Sequence, residues 1–67
     1  MKIIAGFEVE FRPTGNINGG RLCLIYAFDP THEEVLEGFG PNLKPEWVAR
    51  IRAGDYVKRP RDVMVRE

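Results

Sequence analysis

The feature that most constrains the fold is an uninterrupted apolar segment over residues 22–28, with the sequence LCLIYAF. A strand with one solvated face alternates apolar and polar residues, whereas a strand covered on both faces does not. The segment therefore predicts a strand with both faces covered. A chain of 67 residues has little material for this, since a domain of this size buries only about 60% of its unfolded surface. Association with another chain is therefore the leading hypothesis.

The length predicts a single small domain over residues 1–67 that needs a further source of stability. Cys23 is the only cysteine, which excludes an intrachain disulfide and a cysteine-cluster zinc site. We therefore expect no cofactor and a homo-oligomer, most simply a dimer. One reduced cysteine, no signal-peptide pattern and no apolar stretch of about 18 residues predict a cytoplasmic protein without a membrane partner.

Two strands and a turn are predicted in the first part of the chain. Residues 2–12 alternate, with apolar side chains at 7, 9 and 11 and charged ones at 8, 10 and 12, as in a half-buried strand. Gly6 weakens this strand and marks a bulge or a close backbone approach. Residues 13–20 are rich in turn formers and lead into a second strand over 21–28. We expect a β-hairpin with its tightest turn at Asn18-Gly19.

Two short helices follow. Thr31 with Glu34 three residues later matches a capping box, which predicts a helix over 31–38. Pro45 suits the first position of a second helix, which ends at the C-cap Gly54 and so spans 45–53. An additional ion pair is expected between Glu46 and Arg50, one helical turn apart.

The last segment predicts a short edge strand over residues 63–65, because Pro60 interrupts the chain before it. The fold class is therefore α+β, with a small antiparallel sheet, two short helices on one face and the order β-β-α-α-β. The sequence leaves open which strand the last one pairs with. The predicted core consists of Phe7, Val9, Phe11, Leu22, Leu24, Tyr26, Phe28, Leu36, Trp47, Val48 and Ile51.

Charge is balanced overall but divided along the chain. Residues 1–40 contain three basic and six acidic residues, and residues 41–67 contain seven and four, so the halves carry −3 and +3. We expect the halves to pair with each other, within one chain or between two copies. The zero net charge argues against a general attraction to nucleic acid, but the C-terminal basic residues still suggest a contact with it, through Arg50, Lys58, Arg59 and Arg61.

Chemically reactive residues are few, and no catalytic or metal site is predicted. Asp29, His32 and Glu33 cluster at the end of a strand, where helix capping explains them better than metal binding. Cys23 lies among apolar neighbours, which make a thiol inert.

One pentapeptide, Arg52-Ala53-Gly54-Asp55-Tyr56, resembles the Arg-x-Gly-Asp-Tyr segment of ribosome-dependent RNase toxins of the RelE type. In that family the segment leads into consecutive antiparallel strands, whereas here the paired strands come first. The resemblance covers five residues and assigns no family.

These patterns predict a non-enzymatic protein-interaction or regulatory module that associates with itself. Its interface is expected on the second face of the sheet, through Ile4, Cys23 and Ile25, where apolar side chains interrupt a charged surface. The alternative is a nucleic-acid-binding protein that uses the basic C-terminal residues. A third hypothesis is a small enzyme with a site at a subunit interface around Asp29, His32 and Glu33.

Overall fold

The fold is a three-stranded antiparallel sheet with two helices, seen in a computed structural model that describes residues 1–14 and 20–66. The predicted α+β class and element order are confirmed. The turn predicted at Asn18-Gly19 lies outside the described residues. The elements are β1 (Lys2–Phe11), β2 (Leu22–Tyr26), α1 (His32–Phe39), α2 (Pro45–Arg52) and β3 (Val57–Val65).

The strand order is β2-β1-β3, so the last strand pairs with the first. On one side of β1, Phe7 lies opposite Tyr26 and Phe11 opposite Leu22. On the other side, Phe7 lies opposite Pro60, and the pairing continues to the far end of β1. The long alternating strand β1 is therefore central, and both other strands pair with it.

The prediction that Pro60 interrupts the last strand is wrong, because β3 runs without a break from Val57 to Val65. A proline removes one backbone donor, which disrupts a strand only where that donor faces a neighbour. Since β3 lies at the edge of the sheet, Pro60 is tolerated with its nitrogen directed away from β1.

The helices cover one face of the sheet, where the fully buried core consists of Val9, Phe11, Val35 and Ile51. Most of the other predicted core side chains are half-buried and pack against these four, whereas Phe7 and Val48 are half-buried but lie outside this packed group. Val35 was not predicted in the core. The prediction that Phe28 is buried is wrong, since 49% of it is exposed. β2 ends at Tyr26 and the chain then bends, so Phe28 leaves the alternation of the strand.

Both helices begin and end within one residue of the predicted positions, and the C-cap of α2 is Ala53, not Gly54 as predicted. In α1, Thr31 Oγ1 accepts a hydrogen bond from the Glu34 backbone N–H at 3.2 Å, and Glu34 Oε1 accepts one from the Thr31 N–H at 2.9 Å. In α2, Pro45 occupies the first turn, and Gly54 follows the C-cap with φ 81°, a conformation that favours glycine. No helix in the described residues has the length and apolar composition needed to span a bilayer.

The sheet is longer than the layer of helices that covers it. A strand of 10 residues extends about 33 Å, whereas a helix of 8 residues extends about 12 Å. β2 ends opposite Phe7, while β1 and β3 continue together for five more residues. These residues, 2–6 of β1 with 61–65 of β3, form a two-stranded extension that we call the ribbon.

The chain leaves β2 by crossing the helix-covered face of the sheet. Asp29 forms an ion pair with Lys58 on β3. A little further on, His32 Nδ1 lies 2.6 Å from the Tyr56 hydroxyl, next to the start of the same strand. The connection to α1 therefore runs from β2 across β1 toward β3, away from the edge of the ribbon.

Candidate protein-interaction surfaces

The sheet face opposite the helices, which we call the outer face, carries all three predicted interface residues, of which Cys23 and Ile25 lie on β2. Glu8 of β1 lies between Ile25 and Arg59, because it is paired with both. The next row along the strand places Cys23 beside Glu10. Cys23 is exposed and Ile25 is 47% exposed. The helices of the chain therefore leave this side of β2 uncovered.

Arginines cover the acidic centre of the outer face. Arg61 donates to Glu8 at 2.7 Å, and Arg59 donates to Glu10 at 3.1 Å. Arg21 reaches Glu10 at 3.4 Å from the other side. The Glu8 and Glu10 side chains are consequently only 21% and 19% exposed. The hydrogen bond from Arg61 keeps the pKa of Glu8 below its usual value, although partial desolvation opposes this.

Ile4, the third predicted interface residue, lies on the same face but in the ribbon. It is opposite Val63 and half-buried. Ile4 lies four positions before Glu8, which corresponds to about 13 Å along the strand. The structure therefore brings Cys23 and Ile25 together and places Ile4 apart from them, with the arginine–glutamate network between.

The ribbon carries an exposed apolar surface that the sequence patterns did not single out. Ile3 is 65% exposed and Met64, directly opposite, is 64% exposed. Both lie on the helix-covered face of the sheet, but beyond the reach of the helices. The signal available in the sequence was a mismatch in length, since the predicted first strand is far longer than either predicted helix.

The four basic residues predicted to contact nucleic acid do not form one patch. Arg59 and Arg61 lie on the outer face, bound to glutamates. Lys58 lies on the opposite face, where it pairs with Asp29 and its Nζ lies 5.4 Å from the centre of the Phe7 ring.

Arg50 lies on α2, away from the other three. Its Nε donates to Asp55 at 2.7 Å, while Nη1 donates to the Arg12 carbonyl at 3.3 Å. The guanidinium also lies 4.6 Å from the centre of the Phe11 ring. In this arrangement Arg50 is bound to Asp55, not to the predicted partner Glu46.

The polar residues at the start of α1 each bind a different neighbour. Asp29 pairs with Lys58, His32 contacts Tyr56, and Glu33 forms two hydrogen bonds with Arg52 at 2.9 and 3.1 Å. These hydrogen bonds hold the pKa of Glu33 below its usual value. Within residues 1–14 and 20–66, no group of three or more potential metal ligands comes together. The contacts join α1 to α2 and to the start of β3.

A shallow cleft of about 300 Å³ lies between the end of β2 and α1. Burial raises the pKa of Tyr26, and the Glu34 carboxylate adds to this effect. The Tyr26 hydroxyl donates to the Glu34 carbonyl at 3.1 Å. The lining residues are Tyr26, Phe28, Glu34, Glu37 and Gly38.

Comparison with known proteins adds no relationship to these observations. The chain matches no known protein family, no curated protein sequence and no solved structure.

Proposed function

We propose that the protein is a non-enzymatic interaction module that associates with itself through its sheet. The observation that carries the proposal is the exposed apolar surface of the sheet, which includes Ile3 and Met64 on one face and Ile25 on the other, each between 47% and 65% exposed. A contiguous exposed apolar surface that is rimmed by polar residues, as Ile3 and Met64 form in the ribbon, is typical of an interaction site. A cytoplasmic location is part of the proposal and depends on the single cysteine.

The charged residues support a binding role for the sheet over a chemical one. The residues most suited to catalysis, Asp29, His32 and Glu33, hold α1 against other elements. The outer face presents arginines already bound to glutamates beside the apolar side chains of β2. Such a mixed surface suits a protein partner, which supplies apolar contacts at the centre and polar contacts at the rim.

Sedimentation velocity across micromolar concentrations tests the proposal. We expect the sedimentation coefficient to rise with concentration toward the value of a dimer. Glu46 on α2 is exposed and lies away from the sheet, so Glu46→Gln serves as a control that leaves the association unchanged. A wild-type protein that remains monomeric throughout the concentration range contradicts self-association.

Nucleic-acid binding through the basic residues is the second candidate, favoured by the side chains of Arg59 and Arg61, which remain 52% and 55% exposed. Binding would exchange their glutamate partners for phosphates, which makes the net gain small. If this candidate is correct, affinity for mixed single-stranded RNA falls steeply with salt and Arg59→Gln weakens it. Absence of binding at low salt removes this candidate.

A further inference from the structure

One side of β1 pairs with β2 along residues 7–11. Along the ribbon, the same side of β1 is an open edge. β2 pairs with β1 only as far as Phe7, and among the described residues no strand takes its place alongside residues 2–6. The connection after Tyr26 runs across the sheet toward Lys58 and does not follow this edge. Half of the backbone groups in this segment therefore face outward.

The identity of the outward-facing groups follows from Pro60. In an antiparallel strand each residue directs its N–H and C=O to the same side, and successive residues alternate. Phe7 lies between Tyr26 and Pro60, and Pro60 has no N–H to exchange. Phe7 is therefore hydrogen-bonded to Tyr26. Ala5 and Ile3 lie two and four residues before Phe7, so their N–H and C=O groups point to the same side of β1 as those of Phe7. At these positions β2 has already ended, and the groups face outward.

The two edges of the ribbon, formed by β1 and β3, differ in their protection against further pairing. The outer edge of β3 contains Pro60, and its flanking residues 58, 59, 61 and 62 are all charged, features that discourage the addition of a strand. Residues 3–6 of β1 contain neither a charge nor a proline. Within the ribbon, the open edge of β1 is thus the unprotected one, and Ile3 beside it is 65% exposed.

We propose that a second copy of the chain pairs with this edge, strand β1 against strand β1, in antiparallel orientation about a two-fold axis at Ile4. This inference rests on the proposed self-association and specifies its geometry. Ile3 of each copy is hydrogen-bonded to Ala5 of the other, and Ile4 faces Ile4. The two sheets join into one, with the order β3-β1-β1-β3 through the ribbon.

Hydrogen bonding selects this register. Pairing Ile3 with Ala5 uses the N–H and C=O groups of both residues in both copies and forms four hydrogen bonds. Pairing Ile3 with Ile3 leaves Ala5 opposite Met1, outside the strand. Pairing Ala5 with Ala5 places Ile3 opposite Phe7, whose groups are already bonded to Tyr26.

Side chains are compatible with the same register. Lys2, the only charged residue in the segment, faces Gly6 of the other copy, so no like charges are opposed. Ile3 packs beside Ala5, and the two Ile4 side chains meet on the outer face. The contact is short, which places it among small, exchangeable interfaces that need concentration to form.

A pair of proline variants tests which edge is used. Ala5 and Asp62 lie opposite each other in one row of the ribbon, and both direct their N–H groups away from the other strand. Ala5→Pro removes a donor from the open edge, and Asp62→Pro removes one from the outer edge of β3. We expect Ala5→Pro to weaken dimerisation at least about tenfold and Asp62→Pro to leave it unchanged, with circular dichroism confirming that both variants fold.

A cysteine variant tests the register without altering the backbone. Residues facing each other across a non-hydrogen-bonded pair have Cα atoms about 4.5 Å apart, within the range of a disulfide. In a Cys23→Ser background, Ile4→Cys is expected to form a disulfide-linked dimer on mild oxidation. In the same background, Met64→Cys replaces a side chain more exposed than Ile4 but away from the axis, and we expect no such product.

The outcomes separate the two proposals. A wild-type protein that is monomeric throughout overturns self-association together with the edge pairing. A wild-type dimer that survives Ala5→Pro with unchanged affinity overturns the edge pairing alone, and so does efficient cross-linking of Met64→Cys but not of Ile4→Cys. If Ala5→Pro does not fold, the two cysteine variants decide.

Discussion

Gly38 is an exposed residue whose side-chain size is constrained by two side chains of β2, Tyr26 and Leu24. It is exposed on α1, where alanine would normally be a better helix former by about 1 kcal/mol. A Cβ atom at this position, however, would lie 2.6 Å from the Tyr26 hydroxyl and 2.8 Å from Leu24 Cδ1. A larger residue at this position therefore fits only if the Tyr26 and Leu24 side chains move away from α1.

We predict that Gly38→Ala destabilises the protein, because the cost of overpacking, typically about 1–3 kcal/mol, exceeds the gain in helix propensity. Urea unfolding measures the change. In a Tyr26→Phe background, which lacks the hydroxyl, the same substitution should cost less. An equal cost in both backgrounds would show that the hydroxyl contact is not responsible.

Glu8 provides a second prediction at the scale of one residue. Its pKa in the folded protein is lowered chiefly by the hydrogen bond from Arg61, so the ionised form favours folding. This contribution is present above the ordinary pKa of glutamate and is lost as the pH falls through the lowered value. Arg61→Gln should shift the midpoint of Glu8 upward, toward the value of a free side chain.

NMR titration of the Glu8 carboxyl carbon measures this midpoint. Arg66→Gln removes the same charge just beyond the end of β3 and serves as the control. An unchanged midpoint in Arg61→Gln would contradict the role given to the hydrogen bond.

At the scale of elements, local sequence signals predicted the positions of the helices well, whereas the length of β3 was predicted poorly. The capping box at Thr31 and Glu34, the proline at the start of α2 and the glycine after its end are each confirmed. These signals involve residues within four positions of each other. The extent of β3 was mispredicted because the effect of Pro60 depends on whether its nitrogen faces a neighbour, which a local pattern does not contain.

The capping box gives a prediction for α1. Thr31→Ala removes the acceptor for the Glu34 N–H and should lower the free energy of unfolding by about 1 kcal/mol. Thr31→Ser keeps the hydroxyl and should be nearly neutral. Thermal or urea unfolding of both variants provides the comparison. A serine variant as unstable as the alanine variant would argue that packing of the threonine methyl group is what matters.

At the scale of the whole molecule, the divided charge is resolved by pairing between the two halves of the chain. Arg52 pairs with Glu33, Lys58 with Asp29, and Arg59 and Arg61 with the glutamates of β1. The expectation of internal pairing is therefore confirmed. Such exposed pairs contribute little individually, but together they align β3 and the helices with the first half of the chain.

The molecule should also be least stable at the end where its sheet has only two strands. Isolated two-stranded ribbons are marginal in water. We therefore predict that, when the protein is dilute, the amides of residues 2–6 exchange with solvent faster than the amides of residues 7–11, where β1 also pairs with β2. Hydrogen exchange followed by NMR measures this. Uniform protection along β1 under dilute conditions would contradict the prediction.

The sequence by itself determined the α+β class, the order of the elements, the helix ends and most of the buried side chains, because periodicity, capping and turn chemistry act over a few residues. Only the tertiary structure decided that β3 lies beside β1, that Ile4 is separated from Cys23 and Ile25, and that Phe28 is exposed. The sequence also left open how far the sheet extends beyond the helices. These properties depend on where elements end relative to one another in space.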